Sequence, residues 1–271
     1  MSPRLHIEMI NLARAEERRA RMQAELAQAG VDAQFHPAFD MREHPREEML
    51  RHCRPDGPWG LFHDSNMAIT ISHAQVWERF LASDAELCLV MEDDIFIAPE
   101  LGQWLDDLSW WPTDADMVKL ERWRARSLKV LLGRSSGDYR GRRISRLMSR
   151  HVGAAGYMLT RPAAQRFLAE RPFNITIDNL LFNFNASPVA RAMRVYQIQP
   201  ALIEQGNEPE GVALQTATRN RPEGLALLRQ KLKRAYYEVA YPLPTLASAL
   251  TGRAKLHQIT FHAQPGPEAK Q

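Results

Sequence analysis

Cysteine is nearly missing from this chain: Cys53 and Cys88 are the two in 271 residues. Two thiols cannot form a disulfide framework, so the fold must rest on its core. Also missing is any run of the roughly 18 to 20 consecutive apolar residues that crosses a bilayer, which limits any membrane contact to the periphery. The opening MSPRLHIEMINL lacks the basic stretch, apolar stretch and small-residue cleavage site of a secretory leader, and with so little cysteine a cytoplasmic location is expected. Net charge is small as well. Thirty-five Lys and Arg against 32 Asp and Glu leave +3, a balance that argues against a nucleic-acid partner. What is present is ordinary: with 45% hydrophobic residues the chain can bury a sizeable core, in one large domain or one domain plus a small appendage.

Strands and helices alternate along the chain, the pattern of an α/β fold. Leu5, Ile7 and Met9 alternate with His6 and Glu8 and predict a first strand ending near Asn11. Ala15, Met22, Leu26 and Ala29 share a helical face that Gly30 terminates, and a short strand through Ala33, Phe35 and Ala38 completes a β-α-β opening. Residues 41 to 66, rich in Pro, Gly and charge, predict a long loop with one short helix. Ser72 and Gln75 have capping-box spacing and predict a helix start there, with Val76, Trp77, Phe80 and Leu81 on its buried face. Leu87 to Met91 is continuously apolar, as in a strand buried on both faces of a mostly parallel sheet. Further strands are predicted near 117–120, 154–159 and 195–198, with helices near 101–108 and 162–169.

The buried run ends abruptly in Glu92-Asp93-Asp94, and apolar Ile95-Phe96-Ile97 resumes at once. Adjacent carboxylates raise each other's pKa unless a cation is shared between them. Oxygen donors of this kind suit Mg2+ or Mn2+, which bind through one or two carboxylates plus substrate phosphates. Ligands in open α/β sheets also bind beyond the carboxyl ends of strands. The plainer reading is a solvated acidic turn, which the flanking apolar runs disfavour.

Ile10-Asn11-Leu12, Ala38-Phe39-Asp40, Ser72-His73, Val90 to Ile95, Gly153 to Tyr157, Ile177-Asp178 and Pro200 to Gln205, taken in order, resemble the motifs of glycosyltransferase family 25, which includes lipooligosaccharide galactosyltransferases and is related to collagen galactosyltransferases. Ile10-Asn11-Leu12 with Arg14 and Arg18 is similar to its first-strand motif, Ala38-Phe39-Asp40 to its Ala-x-Asp element, and Ser72-His73 to its Ser-His helix start. Val90 to Ile95 resembles its strand ending in Glu-Asp-Asp. Gly153 to Tyr157 with Ala164, Ile177-Asp178, and Pro200 to Gln205 resemble its later elements. The likeness spans about residues 7 to 206. It departs at Ala68 to Ile71, where the family commonly has glycine and cysteine, and at Met41, where a glycine is usual.

The resemblance implies a GT-A type nucleotide-sugar-binding fold, a UDP-sugar donor (usually UDP-galactose), a glycan acceptor, and Mn2+ or Mg2+ between the acidic motif and the donor diphosphate. On that reading Asp94 is the principal metal ligand, Glu92 and Gln205 are further metal candidates, and Glu92 or Asp93 contacts the donor ribose or metal-bound water. Asn11, Arg14, Arg18, Asp40, Ser72 and His73 are donor-binding candidates. Surface exposure is the bland alternative for the arginines, and a structural hydrogen bond for His73. Asp178 is the candidate general base for inverting transfer, and a helix cap is its alternative.

Residues 121 to 151 hold nine arginines and Lys129 against Glu121 and Asp138, with three spaced glycines. They predict a mobile basic loop, either a solvated insertion or a lure for an anionic acceptor or an anionic membrane surface. Residues 225 to 250 look amphipathic and basic, suited to packing on the catalytic domain or to a membrane interface. His52, Cys53 and His63 lack structural-zinc spacing. The expected organisation is a glycosyltransferase domain over 1–206, a helical appendage over 207–262 and a disordered tail over 263–271. Two rivals stay open at this point: another metal-dependent nucleotidyl or phospho-transfer enzyme, and a non-catalytic glycan-binding scaffold on the same fold.

Overall fold

Leu87 to Met91 carries no side chain that needs water, and it lies at the heart of the molecule, every residue of it buried. The structure is a computed structural model that describes residues 3–123, 129–205, 224–240 and 243–261. Strand β1 (Leu5–Asn11), helix α1 (Glu16–Gln28) and strand β2 (Gln34–Pro37) form the opening β-α-β unit. Helix α2 (Arg46–His52), the two-residue strands β3 (Asp56–Gly57) and β4 (Gly60–Leu61), and the long helix α3 (Asp64–Ala82) precede the central strand β5 (Leu87–Glu92). Then come β6 (Ile95–Ile97), α4 (Leu101–Asp106), β7 (Met117–Lys119), β8 (Glu121–Trp123), β9 (Val130–Tyr139), β10 (Arg142–Leu147) and β11 (Gly156–Thr160). Helices α5 (Arg161–Leu168), α6 (Ile177–Phe182) and α7 (Pro188–Ala192) lead to β12 (Val195–Gln199) and β13 (Ile203–Gln205). Helices α8 (Gly224–Ala240) and α9 (Leu243–Leu250) and strand β14 (Lys255–His257) follow.

Nine strands form one sheet in the order β14-β9-β10-β12-β7-β11-β5-β1-β2. Strands β2, β1, β5, β7, β12 and β9 share one direction, while β11, β10 and β14 run against them. The chain is therefore α/β with a largely co-directional central sheet. One face is covered by α3, α5 and α6 through Trp77, Phe80, Phe167 and Leu181, and the other by α1 and α4 through Met22, Leu26 and Trp104. A separate three-stranded sheet, β6-β13-β8, crosses the carboxyl end of β5. It brings residues 95, 121 and 205 to the end of the acidic triplet.

Two local expectations are corrected. Helix α3 starts at Asp64, so Ser72 and His73 lie in mid-helix rather than at its start. Buried Met67, Ala68, Ile71 and Ala74 extend the apolar face backwards, and the Ser72 hydroxyl, instead of capping, donates to Ala68 O one turn earlier. The basic segment is not a loop over most of its length. Buried Val130, Leu131, Leu132, Ile144 and Leu147 make β9 and β10 a hairpin of the main sheet. Its turn has positive φ at Arg140 (44°) and Gly141 (76°), as a two-residue type I′ turn requires. Many of its arginines are spoken for: Arg142 is 2% exposed, donating to Ala201 O and pairing with Glu100, and Arg143 pairs with Asp138.

The segment expected as a helical appendage holds α8 and α9 but also sends β14 back to pair with β9. Residues 206–223 and the expected tail, 263–271, lie outside the described residues.

Candidate active site

Side chains alternate across a strand, so Glu92 continues the series Cys88-Val90 and points toward α3. There His73, fully buried, places Nε2 3.1 Å from Glu92 Oε1 and Nδ1 2.9 Å from the Tyr157 hydroxyl. That hydroxyl accepts from Trp77 Nε1 at 3.0 Å, so its own proton is directed to His73 Nδ1. Burial pulls the His73 imidazole down to about 3, so the ring is neutral and its one N–H donates from Nε2 to Glu92. The histidine therefore orients the carboxyl group and brings no positive charge to it.

The three acidic residues have separate surroundings. Asp93 turns back toward α1, accepting from Asn11 Nδ2 at 2.6 Å and lying 3.3 Å from Arg18. Arg21 locks the turn by donating to Asp93 O and Ile95 O, each at 2.9 Å. Asp94 faces the other way, where Gln205 Nε2 donates to Oδ2 at 3.1 Å, while Asp94 Oδ1 is buried without a hydrogen-bond partner. Burial, then the charges of Glu121 and Asp93, push Glu92 up to about 8; burial, then Glu92 itself, pushes Asp94 up to about 7. Two carboxyls thus stand ready to ionise fully once positive charge arrives.

Below them lies a feature that sequence reasoning missed. Lys119 and Glu121 are fully buried and paired at 2.9 Å, with Lys119 also donating to Gly153 O at 2.5 Å. Glu121 Oε2 accepts from Ala155 N and Gly156 N, while Oε1 is buried without a partner, as is Gln205 Oε1. Gly153 is required here: its φ is +85°, and a Cβ would sit 2.0 Å from Glu121 Oε1 and 3.2 Å from Gln205 Oε1. The available signal was a lysine at the end of an otherwise apolar strand with a glutamate two residues on, a pairing that buried charge demands.

Asp178 is in the first turn of α6, whose cap position is Thr176, so it is not the helix cap. Thr176 Oγ1 and Asn179 Nδ2 both donate to its Oδ1, which leaves Oδ2 available, and its charge is among those that raise Glu92. Arg14 and Asp40 meet in an ion pair at 2.6 Å, and that contact holds Asp40 below the usual carboxylate range. Asp40 borders a groove of about 460 Å³ with Phe39, His44 and Gln75 on its walls. Ser72 is buried, and its hydroxyl accepts from Phe39 N at 2.8 Å, tying α3 to the loop that carries Asp40.

Among the described residues no three His, Cys, Asp or Glu side chains are grouped to hold a metal by themselves. The donor set instead fits a divalent cation completed by phosphate oxygens: Asp94 Oδ1 and Gln205 Oε1 are buried oxygens without partners, and Glu92 adjoins them.

Comparison with known proteins identifies the family. Residues 5–181 match the family described as "Glycosyltransferase family 25 (LPS biosynthesis protein)". The lacto-N-neotetraose biosynthesis glycosyltransferase LgtB of Neisseria gonorrhoeae is 30% identical over 207 residues, covering 73% of each chain. The lipooligosaccharide biosynthesis protein lic2B of Haemophilus influenzae is 24% identical over 265 residues, covering 93% of this chain and 92% of its own. A solved glycosyltransferase involved in glycosylating the major capsid of PBCV-1 has a TM-score of 0.39 and 10% identity over 76% of this chain and 96% of its own, a likeness too slight to carry weight. The chain belongs to glycosyltransferase family 25.

Proposed function

We propose that this protein transfers a hexose, galactose by default, from a UDP-sugar to a glycan acceptor in lipooligosaccharide or related envelope polysaccharide synthesis, on a GT-A type scaffold. The observation that carries the reading is the carboxyl pair Glu92 and Asp94 at the end of β5, beside the buried, partnerless oxygens Asp94 Oδ1 and Gln205 Oε1. Asp94, Glu92 and Gln205 would hold Mn2+ or Mg2+. When bound, such an ion supplies positive charge against the departing diphosphate.

The chain's own residues do the rest. Asn11 and Arg18 fix Asp93 and so the backbone of the acidic turn, and His73, held by Tyr157 and Trp77, sets the rotamer of Glu92. Arg14 and Asp40 line the donor side. Asp178 Oδ2 takes the proton from the acceptor hydroxyl as that oxygen bonds to the anomeric carbon and UDP leaves with the electron pair. The test is UDP release from a panel of UDP-sugars, with Mn2+ or EDTA, for the wild type and Asp178→Asn. Metal-dependent release from one sugar, reduced about a hundredfold or more in the variant, is expected. Release only from nucleoside triphosphates would favour a nucleotidyl-transfer enzyme instead.

We further propose a cytoplasmic location with peripheral contact to an anionic membrane. No helix among the described residues is long and apolar enough to cross one. On α8, Leu225, Leu228, Leu232 and Tyr236 are exposed along one stripe, with exposed Arg229 and Lys231 beside it. Replacing Leu228, Leu232 and Tyr236 with serine should abolish co-flotation with phosphatidylglycerol vesicles; unchanged flotation would dismiss the contact.

A further inference from the structure

A second groove lies on the half of the sheet remote from the carboxylates. Side chains two apart on a strand share a face, so Ile144, Arg146 and Met148 form one floor along and just beyond β10. Around Ile144 the walls are aromatic and hydroxylic: Trp110, Trp111, Tyr139, Ser109 and Thr113 enclose about 370 Å³. Around Arg146 and Met148 they are cationic: Arg134 and Arg253 join Arg146 around about 550 Å³. Asp114 and Ser136 line both parts, so the two adjoin along a shared wall as one composite channel.

The chemistry of each half is specific. Arg134 and Arg253 are exposed, and neither pairs with a carboxylate among the described residues. Arg146 Nη2 donates to Met193 O, but its Nη1 is buried with no partner. The one carboxylate between the halves is already satisfied, because Asp114 accepts from Tyr196 at 2.7 Å and pairs with Arg194 at 3.0 Å. Three guanidinium groups around a cavity with no free carboxylate suit a phosphate. In the other half, Trp111 is half-buried, packed on Trp110 at 5.9 Å, and its indole N–H makes no hydrogen bond among the described residues. An aromatic wall with neighbouring hydroxyls suits the apolar face and polar rim of a pyranose ring.

We propose that this channel binds a phosphate-bearing oligosaccharide segment, sugar on the Trp111 side and phosphate among Arg134, Arg146 and Arg253, apart from the site of transfer. Strand β10 is four strand positions from β5, about 19 Å at ~4.8 Å per step. A monosaccharide does not span that distance, but an extended acceptor chain does, so the channel would hold a remote part of the acceptor. This last point rests on the glycosyltransferase reading, whereas binding itself does not.

The experiment follows the Trp111 indole N–H resonance, assigned with Trp111→Phe, during titration of the full-length protein with glucose 6-phosphate, glucose and inorganic phosphate. Glucose 6-phosphate should bind about tenfold or more tightly than either fragment. Arg134→Ser/Arg253→Ser should weaken it by a similar factor, and Trp111→Ala, followed on backbone resonances of β10, should erase its advantage over inorganic phosphate. Equal affinity for all three probes, or titrations unchanged by the variants, would overturn the proposal. Failure of UDP release in the wild type would sink the transferase reading and leave this titration untouched.

Discussion

Gly153 allows a quantitative test of the site's construction. Its φ of +85° costs any other residue roughly 1 to 2 kcal/mol. The added Cβ of Gly153→Ala would also meet Glu121 Oε1 at 2.0 Å. Glu121 cannot retreat freely, because Lys119, Ala155 N and Gly156 N hold its other oxygen. Losing one such charge-assisted bond costs about 1.5 to 3 kcal/mol. A destabilisation of about 3 kcal/mol follows, and for a chain of this length that lowers Tm by roughly 6 to 12 °C. The assay is thermal unfolding followed by near-ultraviolet circular dichroism, with Gly137→Ala as control. A Cβ on Gly137 meets nothing within 4 Å, so the control should stay within about 0.5 kcal/mol of the wild type. If the two variants melt within about 2 °C of each other, Glu121 is not packed against Gly153 as described.

Other outcomes follow from the same structure. Lys119→Met should cost about 3 to 5 kcal/mol in urea unfolding by stranding the buried Glu121 carboxylate, and adding Glu121→Gln should restore part of the loss. Strictly additive effects would show that the pair is not coupled. Glu8 is buried, which opposes its charge, yet hydrogen bonds from His6 and Arg79 outweigh this and keep its pKa below the ordinary 4.5. Its contribution to stability is therefore full above about pH 5 and fades as pH falls through the lowered pKa, so the deficit of Glu8→Gln should shrink on acidification. A deficit that grows toward low pH would contradict that assignment.

Much of the central architecture could be read in the sequence, because continuous burial leaves an unmistakable trace. The apolar run before Glu92 located β5 and, at its end, the carboxylates whose surroundings are unlike one another. Ser72 misled because a capping pattern is short, whereas the apolar face from Met67 onward extends over several turns and decides where α3 begins. The arginines of β9 and β10 disguised a hairpin as a loop, since composition does not reveal that Arg142 is buried against Glu100 and Ala201 O. Lys119, Glu121 and the role of Gly153 depend on β8 and β13 meeting far from their positions in the chain, a contact that no local pattern encodes.

Whether Asp94 and its neighbours hold a cation that in turn holds the donor diphosphate is decided by calorimetry of UDP binding with Mn2+ and with EDTA, for the wild type and Asp94→Asn. Binding should require the metal and weaken about tenfold or more, at least about 1.4 kcal/mol, in the variant. UDP binding of equal strength in EDTA, or unaffected by Asp94→Asn, would contradict a bridging cation.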